Sequence, residues 1–275
     1  MQWCAPLTEA EKAEFVPFLK QLIEASFRNI SSFFLMPIAI EGKSNGTPVT
    51  EADKSTERML REMIEARYPT HGIFGEEYGV KTSDSPWRWI LDPIDGTRAF
   101  ISHSFHFGTL IALEKRGDDG EFHPVLSTIA FAAANVWVIG TGEACELYRC
   151  VEGQWQHFPV HSKATTKLSD ATLLVTSHWS TPEQVGDERL QRLIDSVKLY
   201  RTWGDCFGYF SVATGGADIM IDPDLSYWDL AALLPVVEGA GAVLVGMNGG
   251  NPLKELSAVC CSNTTLLQHV RSKLQ

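Results

Sequence analysis

The stretch Trp89-Ile90-Leu91-Asp92-Pro93-Ile94-Asp95-Gly96-Thr97-Arg98-Ala99-Phe100 decides how the chain is read. An apolar strand runs into two acids three residues apart, a proline stiffens the turn between them, and Gly96-Thr97 closes it. From such a turn Asp92 and Asp95 can point the same way, and carboxylate oxygens are what a hard divalent ion such as Mg2+ takes, completed by water and phosphate oxygens. The Ile94 carbonyl offers one more oxygen. Gly96 and Thr97 would open a helix whose unpaired N–H groups suit an anion. Taken alone, the same residues also fit a capped turn of the kind Asp-Pro and Asp-Gly commonly make, with Thr97 as an N-cap.

Working outward, two further acidic elements sit where predicted strands or helices end. Gly75-Glu76-Glu77 closes an apolar segment about fifteen residues upstream, and pairing of the two strands would bring Glu76 to Asp92. An isolated Glu-Glu pair is also ordinary solvated surface. Tyr227-Trp228-Asp229 opens a largely apolar helix, where Asp229 equally fits an N-cap. Asp53, by itself, reads as an exposed helix acid.

The surrounding pattern predicts alternating layers. Thr8 and Glu11 have capping-box spacing, and Phe15, Phe18, Leu19, Leu22, Ile23 and Phe27 follow at helical intervals, so a long helix starts near residue 8. Lys43 to Pro48 reads as a turn, and a second helix runs from Thr50 to about Arg67, ended by Pro69. Short apolar segments then alternate as strands do, beginning at His71, Trp87, Gly108, Val125, Asn135 and Cys145. Helices are predicted over 182–197 and 205–217, then a strand over 217–222, a helix over 228–241, a short strand, and a last helix near 263–272. The expectation is an α/β protein of layered helices and sheets, one compact unit with a soft boundary near residue 150 between halves 1–150 and 151–275.

Composition limits the chemistry. The 275 residues carry 34 acidic and 23 basic side chains, a net charge of -11, which disfavours general affinity for nucleic acid or anionic membranes. A small anionic substrate would need a cation to reverse that field locally. The six cysteines form no CxxC pair and no zinc-like pattern with histidine, which suits reduced thiols in a cytoplasm. The first residues carry acids rather than a basic segment with an apolar run, and no apolar stretch reaches the ~18 residues of a membrane span. A soluble, cytoplasmic protein is expected.

Together, Val49 to Asp53 (VTEAD), Gly75 to Glu77 (GEE), Asp92 to Thr97 (DPIDGT) and Gly215 to Ala232 (GGADIMIDPDLSYWDLAA) resemble, in order and spacing, the inositol-monophosphatase superfamily of lithium-sensitive, magnesium-dependent phosphatases. The resemblance covers most of the chain. It implies an αβαβα sandwich with the active site between the halves, and commonly a homodimer. It also implies that Glu76, Asp92 and the Ile94 carbonyl hold one Mg2+ and that Asp92, Asp95 and Asp229 hold a second. Asp53 and Thr97, with Glu76 beside them, would position and deprotonate the attacking water, and Gly96 and Thr97 would receive the phosphate.

Within the superfamily, Asp92 to Ser102 and the triplet Gly204-Asp205-Cys206 look most like histidinol-phosphate phosphatases of the monophosphatase type. Histidinol phosphate carries an ammonium group and an imidazole, so a carboxylate at Asp205 can pair with cationic charge where a neutral polyol has none. Asp222 falls where the family places an acid against substrate hydroxyls, and it equally fits an Asp-Pro turn. Arg98 follows the phosphate turn and is either a substrate contact or solvated. His103 and His106 read as loop residues outside the chemistry. Two segments depart from the pattern: Ile101 to His106 lacks a glycine and proline common in relatives, and Phe131 to Val136 lacks a proline and a Gly-Glu turn. The alternatives are an inositol monophosphatase or broad sugar-phosphate phosphatase, a nucleotidase for bisphosphorylated adenosine, and a non-catalytic relative binding a phospholigand or calcium. Against the last stands the full set Asp53, Glu76, Asp92, Asp95, Thr97 and Asp229.

Overall fold

A computed structural model describes residues 2–43, 46–178 and 187–275. Helix α1 (Glu9–Ser31) starts on a Thr8–Glu11 capping box and buries Phe15, Phe18, Leu19, Leu22, Ile23 and Phe27, the stripe its periodicity marks. A hairpin of β1 (Ile40–Gly42) and β2 (Pro48–Thr50) leads into α2 (Glu51–Arg67). Residues 44 and 45 of the turn expected there lie outside the described residues.

The first large sheet contains β3 (Gly72–Gly75), β4 (Gly79–Lys81), β5 (Trp87–Asp95), β6 (Gly108–Arg116), β7 (Phe122–Phe131), β8 (Val136–Gly140), β9 (Cys145–Val151) and β10 (Gln154–Pro159), with the short helix α3 (Thr97–Ile101) after β5. Its order is β10-β9-β8-β7-β6-β5-β3-β4, antiparallel except for the β3–β5 pair. In β5 the alternation sorts residues to two cores. Trp89 and Leu91 join the layer under α1 and α2, while Ile90 faces the middle of the molecule.

The second sheet contains β11 (Thr172–Val175), β12 (Leu199–Arg201), β13 (Ile219–Asp222), β14 (Val243–Val245) and β15 (Ala258–Cys261), in the order β12-β11-β13-β15-β14. Between the sheets lie α5 (Asp205–Ala213) and α6 (Tyr227–Gly239); the outer face of the second sheet is covered by α4 (Asp187–Ile194) and α8 (Thr264–Leu274). A one-turn helix α7 (Pro252–Glu255) precedes β15. The layers are therefore helix, sheet, helix, sheet, helix, as expected. The helix expected over 182–197 is seen from Asp187, its earlier part lying outside the described residues.

Three local differences from expectation have simple causes. Helix α5 stops at Ala213 rather than 217 because Thr214-Gly215-Gly216 leaves the helix, with Gly215 at φ 75. Strand β10 is exposed along its length and has no apolar alternation to reveal it. Strand β15 reads Ala-Val-Cys-Cys, where buried cysteines stand in for small hydrophobes.

Helix α6 is buried almost all round and lies unusually close to the first sheet. A Cβ on Gly140 would lie 2.3 Å from the Pro235 carbonyl oxygen and from Val236 Cα, and one on Gly239 would lie 2.3 Å from the Ala144 carbonyl oxygen. Both obstacles are backbone and cannot swing away. Gly140→Ala is therefore expected to destabilise by about 3 kcal/mol through overpacking, lowering the melting temperature by roughly 5–10 °C. A scanning-calorimetry change below about 2 °C would show that α6 yields, given the usual 2–4 °C per kcal/mol.

Candidate active site

Asp92 and Asp95 are an odd number of residues apart, which in a regular strand would put them on opposite faces. The chain avoids this with a bulge: Asp92 pairs with Leu110 and Asp95 with Gly108, so β5 uses three steps where β6 uses two. Thr109 Oγ1 pins the bulge by donating to the Pro93 carbonyl at 2.9 Å. Gly96, at φ 78, then turns the chain left-handed into α3, a conformation that glycine tolerates best.

Parallel pairing with β5 places the end of β3 alongside, and the Glu76 N–H donates to the Leu91 carbonyl at 3.1 Å. The Glu76-Glu77 turn is held from beneath by Glu57 of α2, whose fully buried carboxylate accepts from the N–H groups of Glu77 (2.7 Å) and Tyr78 (3.2 Å). A Cβ at Gly75 would collide with the Glu57 carboxylate and displace it from the N–H groups it accepts from, so glycine keeps this support in place. Asp229 is the third helical residue of α6 and accepts from the Ser226 N–H at 2.8 Å. The N-cap there is Ser226; Asp229 completes its capping box with one oxygen and still lines the cleft.

Asp53 occupies the same position in α2. Its Oδ2 accepts from Thr50 N (2.8 Å) and Thr50 Oγ1 (2.6 Å), and it is fully buried rather than exposed. Its Oδ1 faces Thr97 Oγ1 at 3.3 Å, and that hydroxyl also lies 3.1 Å from the Ile94 carbonyl. Thr97 is therefore not an N-cap, a place taken by Gly96.

Asp92, Asp95 and Asp229 can each present an oxygen within 4.8 Å of the other two. Glu76 lines the same cleft, with Lys43 Nζ against it at 2.6 Å and against Glu77 at 2.7 Å. Sequence reading gave Lys43 no role beyond a turn. Burial, then the charges of Glu76, Asp95 and Asp229, hold the Asp92 carboxyl well above the usual carboxylate range. Burial, then the charge of Asp229, also pushes Asp95 up to about 7, and burial, then the charges of Glu76 and Asp222, does the same to Asp229. Asp92 Oδ1 is buried without a hydrogen-bond partner. Hard oxygen donors, clustered, short of positive charge and with one oxygen orphaned, fit a divalent cation.

A cleft of about 650 Å3 opens over these residues. Besides the acids it is lined by Gly96, Thr97, Arg98 and Asp205, and by residues to which the sequence reading gave no role, notably Asp224, Trp228 and Thr176. Asp205 starts α5 in a left-handed conformation, φ 48, and its N–H donates to Thr176 Oγ1 at 2.9 Å. Its carboxylate stands over the Gly96 turn, 3.1 Å from where a Cβ of Gly96 would be, and burial raises it to about 7. Asp222 is set deeper, accepting from the Tyr209 hydroxyl at 3.0 Å in an inner pocket of about 130 Å3 shared with Asp205 and Asp224. His103 and His106 are absent from the described lining of the cleft; the His106 ring packs edge-on against Phe207.

The inositol monophosphatase family model matches residues 12–275. The chain belongs to that family. It is a phosphatase of this kind, and its described residues include no helix long and apolar enough to cross a membrane. It is 32% identical over 232 residues to the histidinol-phosphatase of Chlorobaculum parvum, covering 83% of this chain and 84% of that protein. It is 34% identical over 219 residues to the histidinol-phosphatase of Mycobacterium tuberculosis, covering 79% and 81%. Among solved structures, an inositol monophosphatase from Zymomonas mobilis superimposes with a TM-score of 0.79 at 28% identity, covering 96% of this chain and 98% of that one. The layered fold is shared with the Zymomonas structure, and the family is one of metal-dependent phosphatases.

Proposed function

We propose that this phosphatase is Mg2+-dependent and hydrolyses histidinol phosphate, in the cytoplasm, to histidinol and inorganic phosphate. The observation that carries the substrate is Asp205: a half-buried acid, raised to about 7, that overhangs the Gly96 turn. An ammonium group brought in on the substrate would pair with it and restore its ionised form. The names of the Chlorobaculum and Mycobacterium relatives support the same reading.

Glu76, Asp92, Asp95, Asp229 and the Ile94 carbonyl would hold the cations. Bound there, Mg2+ supplies positive charge against the phosphate oxygens and acidity to a water. The chain's own residues do the rest. Thr97 Oγ1 and Asp53 Oδ1 hold the attacking water, and Asp53, its other oxygen fixed by Thr50, takes the proton. First-turn amides of α3 and Arg98 receive the phosphate. Trp228 and Asp224 bound the space left for the alcohol, and Asp222, turned to Tyr209, shapes its inner end.

The second reading, an inositol monophosphatase, is favoured by the likeness to the Zymomonas structure. The two separate in a side-by-side assay of phosphate release from histidinol phosphate and inositol 1-phosphate in Mg2+ buffer. A preference for histidinol phosphate is expected, and Asp205→Ala should erase most of it, raising KM for that substrate about tenfold or more, the effect of losing a charge-assisted hydrogen bond. Its effect on inositol 1-phosphate should be small. Equal loss for both substrates would sink the role given to Asp205, and preference for the inositol ester would replace the substrate.

A further inference from the structure

Beneath the carboxylates, on the face of the first sheet that meets α6, lies a buried charged cluster. Arg88 and Glu114 are direct cross-strand partners on β5 and β6. Arg88 Nε donates to Glu114 Oε2 at 2.8 Å, and Nη2 lies 2.6 Å from the same oxygen. The other Glu114 oxygen accepts from the Tyr227 hydroxyl at 2.6 Å, and Arg88 Nη2 donates to that hydroxyl at 3.0 Å. The Glu114 side chain is wholly buried. Around the triad, the Phe74 ring stacks on Tyr227 at 5.8 Å and meets Trp228 edge-on at 5.6 Å, and the guanidinium lies 4.2 Å from the Phe122 ring centroid.

Arg88 and Tyr227 of the triad, and the Phe74 ring packed on it, each sit just before an acid of the site, with Glu114 on β6 joining them. Phe74 is two residues before Glu76, Arg88 four before Asp92 on the same strand face, and Tyr227 two before Asp229. At about 3.3 Å per strand residue, the Arg88 backbone lies roughly 13 Å from that of Asp92, and its guanidinium is taken up by Glu114 and Tyr227. A buried ion pair is a poor source of stability, because desolvation offsets its attraction and an apolar filling usually does as well. A directional network does what an apolar contact does not: it fixes the register of α6 against β5.

We propose that Arg88, Glu114 and Tyr227 are positioning residues that set the spacing of Glu76, Asp92 and Asp229 and thereby the affinity of the site for divalent metal. This rests on the metal reading given above. The strands and α6 lie more than 100 residues apart in the chain, so no local turn can hold Asp229 at its distance from Asp92. The triad supplies that constraint from below, with the Phe74 ring carrying it to the β3 turn.

The test measures Mn2+ binding by electron paramagnetic resonance, melting temperature, and the Mg2+ dependence of phosphate release for the full chain and for Tyr227→Phe, Glu114→Gln and Arg88→Lys. Tyr227→Phe keeps the ring and removes only the hydroxyl, so it should fold. The Mn2+ dissociation constant is expected to rise about tenfold in Tyr227→Phe, the lower end of the range for residues supporting metal ligands, with kcat at saturating Mg2+ within a few-fold of the parent. Val259→Ala, in the distant outer core, serves as a control of lowered stability and should leave Mn2+ binding unchanged. Mn2+ affinities within twofold of the parent in both Tyr227→Phe and Glu114→Gln would overturn the inference and leave the metal reading intact. A parent chain that binds no Mn2+ would overturn both.

Discussion

Asp92→Asn should lose phosphate release by about a thousandfold or more while making the metal-free protein harder to melt. The two effects have one cause. Asp92 is the residue around which Glu76, Asp95 and Asp229 converge, and its buried Oδ1 has no partner in the protein. Replacing it by an amide removes a charge from any cation held there, and losing about 4 kcal/mol of transition-state stabilisation corresponds to that factor. In the absence of metal the same charge is a liability, since burial and three neighbouring acids oppose its ionisation. The amide relieves that repulsion at nearly constant volume. Activity is checked by phosphate release in Mg2+, and stability by calorimetry in EDTA. Parent-like turnover would remove Asp92 from the centre of the reaction, and a lower melting temperature in EDTA would refute the account of a strained acid cluster.

A second large effect is expected in the pH dependence of stability. Asp95, Asp205, Asp222 and Asp229 are each raised to about 7, in every case chiefly by burial. In the unfolded chain such groups release their protons near pH 3.9. Between these values the folded protein holds protons that the unfolded chain has lost, so stability falls as pH rises and levels off above about 7. In EDTA, the melting temperature should therefore be higher at pH 5.5 than at pH 8, by on the order of 5 °C. Mg2+ added at pH 8 should recover the loss, because a ligand that binds only the folded state stabilises it by mass action. A melting temperature in EDTA that is flat or rises from pH 5.5 to pH 8 would mean that the cluster is hydrated or otherwise neutralised.

Much of the site was legible because its signals are local. Capping-box spacing marked the start of α1, and apolar runs ending in Gly-Glu-Glu and in Asp-Pro-Ile-Asp marked strand ends where side chains leave the sheet. The family resemblance joined these scattered acids and gave Asp53 a role that its helical surroundings hide. The N-cap role that Asp229 equally fitted belongs to Ser226, and Asp229, two positions into the helix beyond its first residue, closes that capping box while it lines the cleft.

What depended on distant partners was not legible. Lys43 reaches Glu76 and Glu77 across 33 and 34 residues, and Tyr227 reaches Glu114 across 113. Nothing in the periodicity of either segment encodes those meetings. Asp222 fitted a substrate contact and an Asp-Pro turn equally, and its partner in the fold, the Tyr209 hydroxyl in the inner pocket, was not foreseen, nor was Asp224, two residues on, lining the open cleft. Short-range pattern thus determined which residues sit at the ends of which elements, since helix caps, strand alternation and turn chemistry act over a few residues. The tertiary structure alone decided which of those ends face one another, how the bulge turns Asp92 and Asp95 to one side, and which acids are left without positive charge, because those follow from packing between segments far apart in the chain.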